Sequence, residues 1–261
     1  MSRRRRPAAA GPRWLGGIHA AQETLRANPG AARELWIEHE QNSPAIKEII
    51  GLARRLGLPV RFMARRELDR ATGGLRHQGV ALKAGLQPTL GLEAALERLG
   101  EEDKKNLVLV ALDQIQDPHN LGAIARSAVN LGARGLILPE RHSAAASPAA
   151  VQVSAGALQR IALHYVVNLA EALRRCRERG FWIYGADASG RPVWEARINA
   201  PLVLVIGSEG SGLRPLTRSL CDELVSIPQA PGGVDSLNAS CAASVLLYEI
   251  ARQLGRPPAG R

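Results

Sequence analysis

Beyond Asn106 the chain repeats a pattern that few folds can accommodate: a strand-length apolar run, a short turn, a helix-length segment, then another apolar run. The runs fall at Leu107–Leu112, Gly135–Leu138, Leu163–Val167, Trp182–Ala186, Leu202–Ile206 and Leu224–Ile227. They are near-continuous rather than alternating, so each strand has to be buried on both faces. That is the mark of a parallel sheet covered by helices on either side. The spacing predicts an α/β domain over residues 106–261, closed by a helix over Asn238–Leu254. Aromatic residues make up only 3% of the chain, so this core must be built from Leu, Val, Ile and Ala. No apolar run approaches the ~18 residues of a membrane helix.

The N-terminal third is organised differently. Residues 1–12 read as a basic, flexible tail and residues 13–84 as a smaller αβ domain. Its helices are predicted at His19–Arg26, from Ser43-Pro44 onward and at Arg66–Ala71; its strands at Glu34–Glu38, Leu58–Met63 and Gly79–Leu82. Ser43 is placed to cap its helix, with Pro44 in the first turn and Ile46, Ile49, Ile50, Ala53 and Leu56 at helical spacing. Residues 85–105 form a linker with a short helix over Leu90–Leu99 and a charged turn over Glu101–Asn106. The formal net charge of the chain is +10, and residues 1–100, with 17 basic against 9 acidic side chains, hold +8 of it. Such asymmetry favours a polyanionic partner bound through the N-terminal part. Cys176, Cys221 and Cys241 are widely separated and show no CxxC spacing, which argues against a zinc site and a disulfide framework. The basic N-terminus completes neither a secretory nor a twin-arginine signal, so the expected location is the cytoplasm, with no membrane partner and no metal.

Three polar clusters interrupt the apolar runs of the larger domain. The first, Asp113–Ala128, carries Asp117-Pro118-His119-Asn120 and a slim helix of Gly122, Ala123, Ala125 and Ala128 with the single charge of Arg126. Asn120 is read as the helix N-cap; a capped helix with a surface arginine accounts for the same residues without chemistry. The second is the glycine loop Gly207-Ser208-Glu209-Gly210-Ser211-Gly212 after a buried strand. It matches neither a P-loop nor G-x-G-x-x-G, and Glu209 is a carboxylate that a plain turn does not need. The third runs from Val225-Ser226-Ile227-Pro228 to Asp235-Ser236-Leu237-Asn238, followed by Ala239, Ser240, Ala242, Ala243 and Ser244. One of Ser236 and Asn238 serves as a cap, and the small residues suit close packing on another helix or a neighbouring subunit.

In order, these clusters read D-P-x-N-x-G-x-x-x-R-S-A, V-I-G-x-E-G-x-G-L and I-P…S-L-N-x-S, which resemble the three signature motifs of the SpoU family. The resemblance extends to Ser154-Ala155-Gly156-Ala157 and Asn168-Leu169-Ala170. It reaches the N-terminal domain through Gly17-Ile18-His19-Ala20 and His77-Gln78-Gly79-Val80, so residues 14–254 are covered. It implies an α/β, trefoil-knotted SPOUT domain behind a ribosomal-protein-like domain that grips RNA. It also implies transfer of a methyl group from S-adenosyl-L-methionine to a ribose 2′-hydroxyl, with the bacterial 23S ribosomal RNA guanosine methyltransferases the most similar members. Carried over residue by residue, Asn120, Arg126, Glu209, Ser236 and Asn238 correspond to the active site. Gly207, Ile227 and Leu237 correspond to the cofactor pocket. A homodimer is implied, with Arg126 acting across its interface. The loop Gln229–Asp235 departs from the family pattern, being one residue longer and lacking Met after Pro228.

A guanidinium with a pKa above ~12 is a poor base, so Arg126 reads better as a clamp on the target phosphate than as a proton acceptor. Asn120, Ser236 and Asn238 would orient ribose and cofactor, and Glu209 would hold Arg126 or the pocket loop. Three rivals stand beside this reading: a transfer-RNA 2′-O-methyltransferase of the same family, a noncatalytic RNA-binding factor, and a nicotinamide-dependent Rossmann enzyme.

Overall fold

The computed structural model describes residues 13–27, 29–39, 41–85, 91–230 and 236–255. The expected tail over residues 1–12 and most of the departing loop (231–235) lie outside them. Two compact units result.

The first unit begins with β1 (Arg13–Gly16), α1 (Ile18–Ala27), β2 (Ala32–Glu38), α2 (Pro44–Arg55), β3 (Val60–Met63), α3 (Arg65–Thr72) and β4 (Val80–Ala84). Its four strands lie in the order β1-β4-β2-β3. The pairs β1–β4 and β2–β4 are antiparallel and β2–β3 is parallel. Ser43 accepts from the Ile46 N–H, capping α2 as its sequence predicts. Along β2, Leu35 and Ile37 are fully buried on one face, while Trp36 on the other joins Trp14, Met63 and Leu68 under α3. The His77-Gln78-Gly79 turn is pinned by one imidazole. Buried His77 accepts the Gly79 N–H at Nδ1 (3.0 Å), which leaves Nε2–H to donate to Asp69 (2.7 Å).

The chain then enters the second unit with α4 (Leu92–Glu97), α5 (Glu101–Lys104), β5 (Val108–Asp113), α6 (Pro118–Asn130) and β6 (Gly135–Pro139). Residues Ala146–Arg160, carrying α7 (Pro148–Val153), belong to the first unit instead. There Arg160 pairs with Glu23 at 2.8 Å, and Gln152 donates to the Arg76 carbonyl. The second unit resumes with β7 (Ala162–Val166), α8 (Leu169–Glu178), β8 (Trp182–Pro192), β9 (Leu202–Gly207), α9 (Pro215–Ser219), β10 (Glu223–Ser226) and α10 (Ala239–Gln253). Its six strands run in the order β10-β8-β9-β5-β6-β7, every pairing parallel. The six apolar runs are thus the six strands of one parallel sheet. Every residue of β5 and of β9 is buried. Leu92 and Leu96 of α4 and Leu169, Leu173 and Cys176 of α8 join Leu109, Ile137, Val203 and Val205 in one core layer.

The small residues of the first and third clusters have their use within the chain. Ala125 and Ala128 of α6 and Ala243 of α10 are fully buried, and Ser127 and Ser244 share a 2.7 Å hydrogen bond between the two helices. Side chains this small let two helix backbones approach closely, which answers what α10 packs against: another helix.

Candidate active site

In an open parallel sheet, ligands collect beyond the carboxyl ends of the strands, where connections depart to opposite sides. Here neighbouring strands β5 and β9 end at Asp113 and Gly207, and the first two polar clusters follow them directly.

At the end of β5 the helix cap differs from the sequence reading. Asp117, not Asn120, is the N-cap of α6: its Oδ1 accepts the His119 N–H at 2.8 Å, and Pro118 fills the first helical position. Proline has no N–H to satisfy and its fixed φ suits a helix start, which moves the boundary three residues upstream. Asn120 is thereby turned inward and buried. Its Nδ2 donates to Glu209 Oε1. Asn238 Nδ2 donates to the same Glu209 oxygen (2.6 Å) and to Asn120 Oδ1 (3.1 Å). Meanwhile Asn238 Oδ1 caps α10, accepting from the N–H groups of Ser240 and Cys241. One residue from each of the three clusters therefore meets at a single point. Because an ionised carboxylate only accepts, Glu209 dictates that both amides present their NH₂ groups to it.

The glycine loop is closed on itself. Ser208 and Gly212 exchange backbone hydrogen bonds of 3.1 and 3.0 Å. A Cβ on Gly207 would lie 2.3 Å from the Gly212 carbonyl carbon, so no other residue fits without moving the loop. The loop walls two clefts. One, of about 350 Å³, is lined by Gly207, Glu209, Ile227, Ser236 and Leu237, with Ile206, Val225 and Leu246 giving it an apolar side. The other, of about 410 Å³, is lined by Gln114, Gln116, Asp117 and Asn120. Ser208, Glu209 and Ser211 line both.

Arg126 is not part of this cluster. It stands exposed on α6, without hydrogen bond or ion pair among the described residues. The sequence reading offers Glu209 either Arg126 or the pocket loop; the carboxylate takes two pocket amides instead. At 100° and 1.5 Å per residue, six positions beyond Asn120 carry Arg126 about 240° around the helix and about 9 Å along it.

Two ion pairs escape the sequence reading. Asp113, wholly buried at the end of β5, accepts from both the N–H (3.0 Å) and Nε (2.6 Å) of Arg214 just past the glycine loop. It ties together the segments that carry Asn120 and Glu209. A buried carboxylate ending an apolar strand demands a partner, but nothing local names a residue 101 positions away. The second pair holds Ala186–Gly190, an excursion of β8: Gly185 faces Leu224 of β10, and the next paired residue, Arg191, faces Val225. Its Asp187, which lines the smaller cleft, accepts from the Ser189 N–H and hydroxyl and from Arg218 Nε at 2.9 Å. Burial pushes the Asp187 carboxyl upward; the Ser189 and Arg218 hydrogen bonds outweigh it and hold the carboxyl below its ordinary value.

A parallel sheet whose strand ends carry a glycine-walled cleft with an amide-lined cleft beside it makes this an α/β protein with room for two ligands side by side. The SpoU rRNA Methylase family model matches residues 107–248, and the model for RNA 2′-O ribose methyltransferase substrate binding matches 14–88. The chain belongs to the SpoU rRNA methylase family. It is 39% identical to the 23S rRNA (guanosine-2′-O-)-methyltransferase RlmB of Xanthomonas campestris pv. campestris, over 92% of this chain and 96% of that one. It is 37% identical to a Bacillus subtilis protein grouped with TrmH family tRNA/rRNA methyltransferases, over 94% and 96%. Among solved structures, the SpoU methyltransferase AviRb of Streptomyces viridochromogenes in complex with AdoMet superposes with a TM-score of 0.76 at 28% identity, covering 97% of this chain and 94% of that one.

Proposed function

We propose that the protein transfers a methyl group from S-adenosyl-L-methionine to the ribose 2′-hydroxyl of a guanosine in 23S ribosomal RNA. The observation that carries this reading is Glu209, which lines both clefts and holds the amides of Asn120, in the larger cleft, and of Asn238. Family membership, the 23S rRNA substrate in the name of the Xanthomonas relative and the AdoMet held by AviRb support it.

The smaller cleft fits the cofactor. Its glycine wall is a loop closed tightly on itself, with Gly207 against the Gly212 backbone, and its apolar side suits a methionine chain and a nucleoside face. Gly207, Ile227 and Leu237 would hold the cofactor, which when bound supplies an electrophilic methyl on a sulfonium. The rest falls to the protein. Glu209 fixes both amides, so Asn120, at the larger cleft, and Asn238, bonded to it, are held to position the ribose, and Ser236 lines the cofactor side. Much of the acceleration comes from such alignment. Arg126, exposed and with no hydrogen bond or ion pair among the described residues, clamps a phosphate of the target strand.

The first unit, where most of the net positive charge falls, grips the RNA. We also infer a cytoplasmic homodimer: Cys241, Val245 and Tyr248 form an exposed stripe at i, i+4, i+7 along α10, beside exposed Leu237. The trefoil knot, formed by the chain from the glycine loop to α10, belongs to the same proposal. An experimental main-chain trace in which α10 packs without passing through a loop contradicts it.

The test is methyl incorporation from labelled S-adenosylmethionine into 23S rRNA and into bulk tRNA. Incorporation into 23S rRNA supports the proposal; incorporation into tRNA alone favours the reading in which the Bacillus relative's broader grouping is the guide.

A further inference from the structure

We propose that the second cleft reads the guanine base itself, with Asp117 and the amides of Gln114 and Gln116 facing its Watson–Crick edge. This rests on the proposed 2′-O-methylation of guanosine and adds the residues that choose the base. A ribose whose 2′-hydroxyl meets the wall shared by the two clefts has the larger cleft beside it to receive its base. What waits there is the segment 114–117.

The chemistry of that segment is selective. Among the described residues no lysine or arginine lines the cleft, while Asp117 and Glu209 both do, so a phosphate is repelled and a group rich in N–H donors is welcomed. Guanine alone among the RNA bases offers two adjacent donors, N1–H and the 2-amino group, beside an acceptor, O6. One carboxylate meets both donors together, and an amide NH₂ meets O6. Adenine presents a bare acceptor at N1, and uracil a single N–H between two carbonyls; neither matches.

These groups are free for the purpose. The cap bond to His119 uses only Asp117 Oδ1, and Oδ2 has no partner among the described residues. Neither the half-buried Gln114 amide nor the exposed Gln116 amide makes a hydrogen bond within them. The segment is also held in place. Gln114 sits at φ +63°, a left-handed conformation that few non-glycine residues adopt. It directly follows Asp113, which Arg214 fixes by two hydrogen bonds. Backbone strain of this kind persists where the surroundings over-determine it. Capping alone explains Asp117 and leaves both glutamines without a role.

The test uses the full chain and a 23S rRNA fragment whose methylated position has first been mapped. At that position guanosine is replaced by inosine, which lacks only the 2-amino group. Asn caps helices as well as Asp does, so Asp117→Asn keeps α6 while replacing one carboxylate oxygen by a donor. The parental protein should prefer guanosine over inosine in kcat/KM by roughly 10-fold or more. Asp117→Asn should cut guanosine methylation by roughly 10- to 100-fold, bring the two substrates close to parity, and leave S-adenosylmethionine affinity unchanged. Gln114→Ala should slow both substrates, since both keep O6. Equal use of guanosine and inosine by the parental protein, or an unchanged preference in Asp117→Asn, overturns the base assignment while the methyltransferase reading stands. A parental protein that methylates no guanosine in any 23S rRNA fragment overturns both.

Discussion

At the scale of single residues, the account turns on one carboxylate. Glu209 is the acceptor for two amide donors that approach from different loops. In Glu209→Gln the single accepting oxygen is kept as an amide carbonyl, but the charge that strengthens both bonds would be gone. Each hydrogen bond to a charged group is worth about 1.5–3 kcal/mol. Single-turnover methylation at saturating cofactor should therefore fall roughly 10- to 100-fold, while the fold, followed by circular dichroism, is kept. Arg126→Ala is expected to act differently, because the side chain is exposed and outside the cluster. Loss of one charge-assisted contact to the target should cost about 2–4 kcal/mol in the transition state, or about 30- to 1,000-fold in rate. Calorimetry should find cofactor affinity intact; methylation at the parental rate removes Arg126 from the site. Glu209 was legible as a carboxylate that a plain glycine turn does not need, whereas Asn120 and Asn238 read locally as helix caps and became candidates through the resemblance to the SpoU motifs. That Glu209 serves the amides rather than Arg126 was not legible, since the answer depends on how far around α6 each side chain lies.

Among the elements, the six strands of the parallel sheet were readable because burial on both faces leaves an unbroken apolar run. Elements lacking such a signal were not. The four-residue β1 holds an Arg and a Gly beside its apolar pair, and α7 spans only six residues, too few for a helical stripe to show. The charged turn expected over Glu101–Asn106 closes into the single helical turn of α5. The run Trp182–Ala186 continues to Pro192 because residues 186–190 leave the sheet and return. That excursion makes a testable electrostatic element. Asp187 is held below the ordinary carboxyl range, so its contribution to stability is fully present above the unfolded value of ~3.9 and is lost as pH falls through the folded value. Arg218 is half exposed, and solvent screening limits its pair with Asp187 to roughly 1 kcal/mol or less. In urea titrations Arg218→Ala should be less stable than the parental protein by that amount at pH 7. The gap should narrow as pH drops through the acidic range. A gap of constant size from pH 7 to pH 2.5 would show that Arg218 acts by packing alone.

For the whole molecule, the charge asymmetry favoured a polyanionic partner for the N-terminal part, and the substrate-binding family model falls there too. No periodicity announces that Ala146–Arg160 joins that unit from the middle of the methylase sequence. The contacts that place it, Arg160 to Glu23 and Gln152 to the Arg76 carbonyl, span 137 and 76 positions. Assembly is the other property of this scale. Tyr248 is 62% exposed on the apolar stripe of α10, far more than a tyrosine facing only its own chain needs. We expect a dimer burying more than ~1,200 Å², and Tyr248→Glu should shift it toward monomer in sedimentation velocity at micromolar concentration. A parental protein that sediments as a monomer contradicts the dimer.

The central claim is the chemical identity of the product. 23S rRNA incubated with the protein and methyl-labelled S-adenosylmethionine can be digested to nucleosides and resolved by mass spectrometry. On this account the label should appear as 2′-O-methylguanosine, at a single position, and its rate of incorporation should fall roughly 10- to 100-fold with Glu209→Gln. Label on a base, on a ribose other than guanosine's, or undiminished in Glu209→Gln would contradict it.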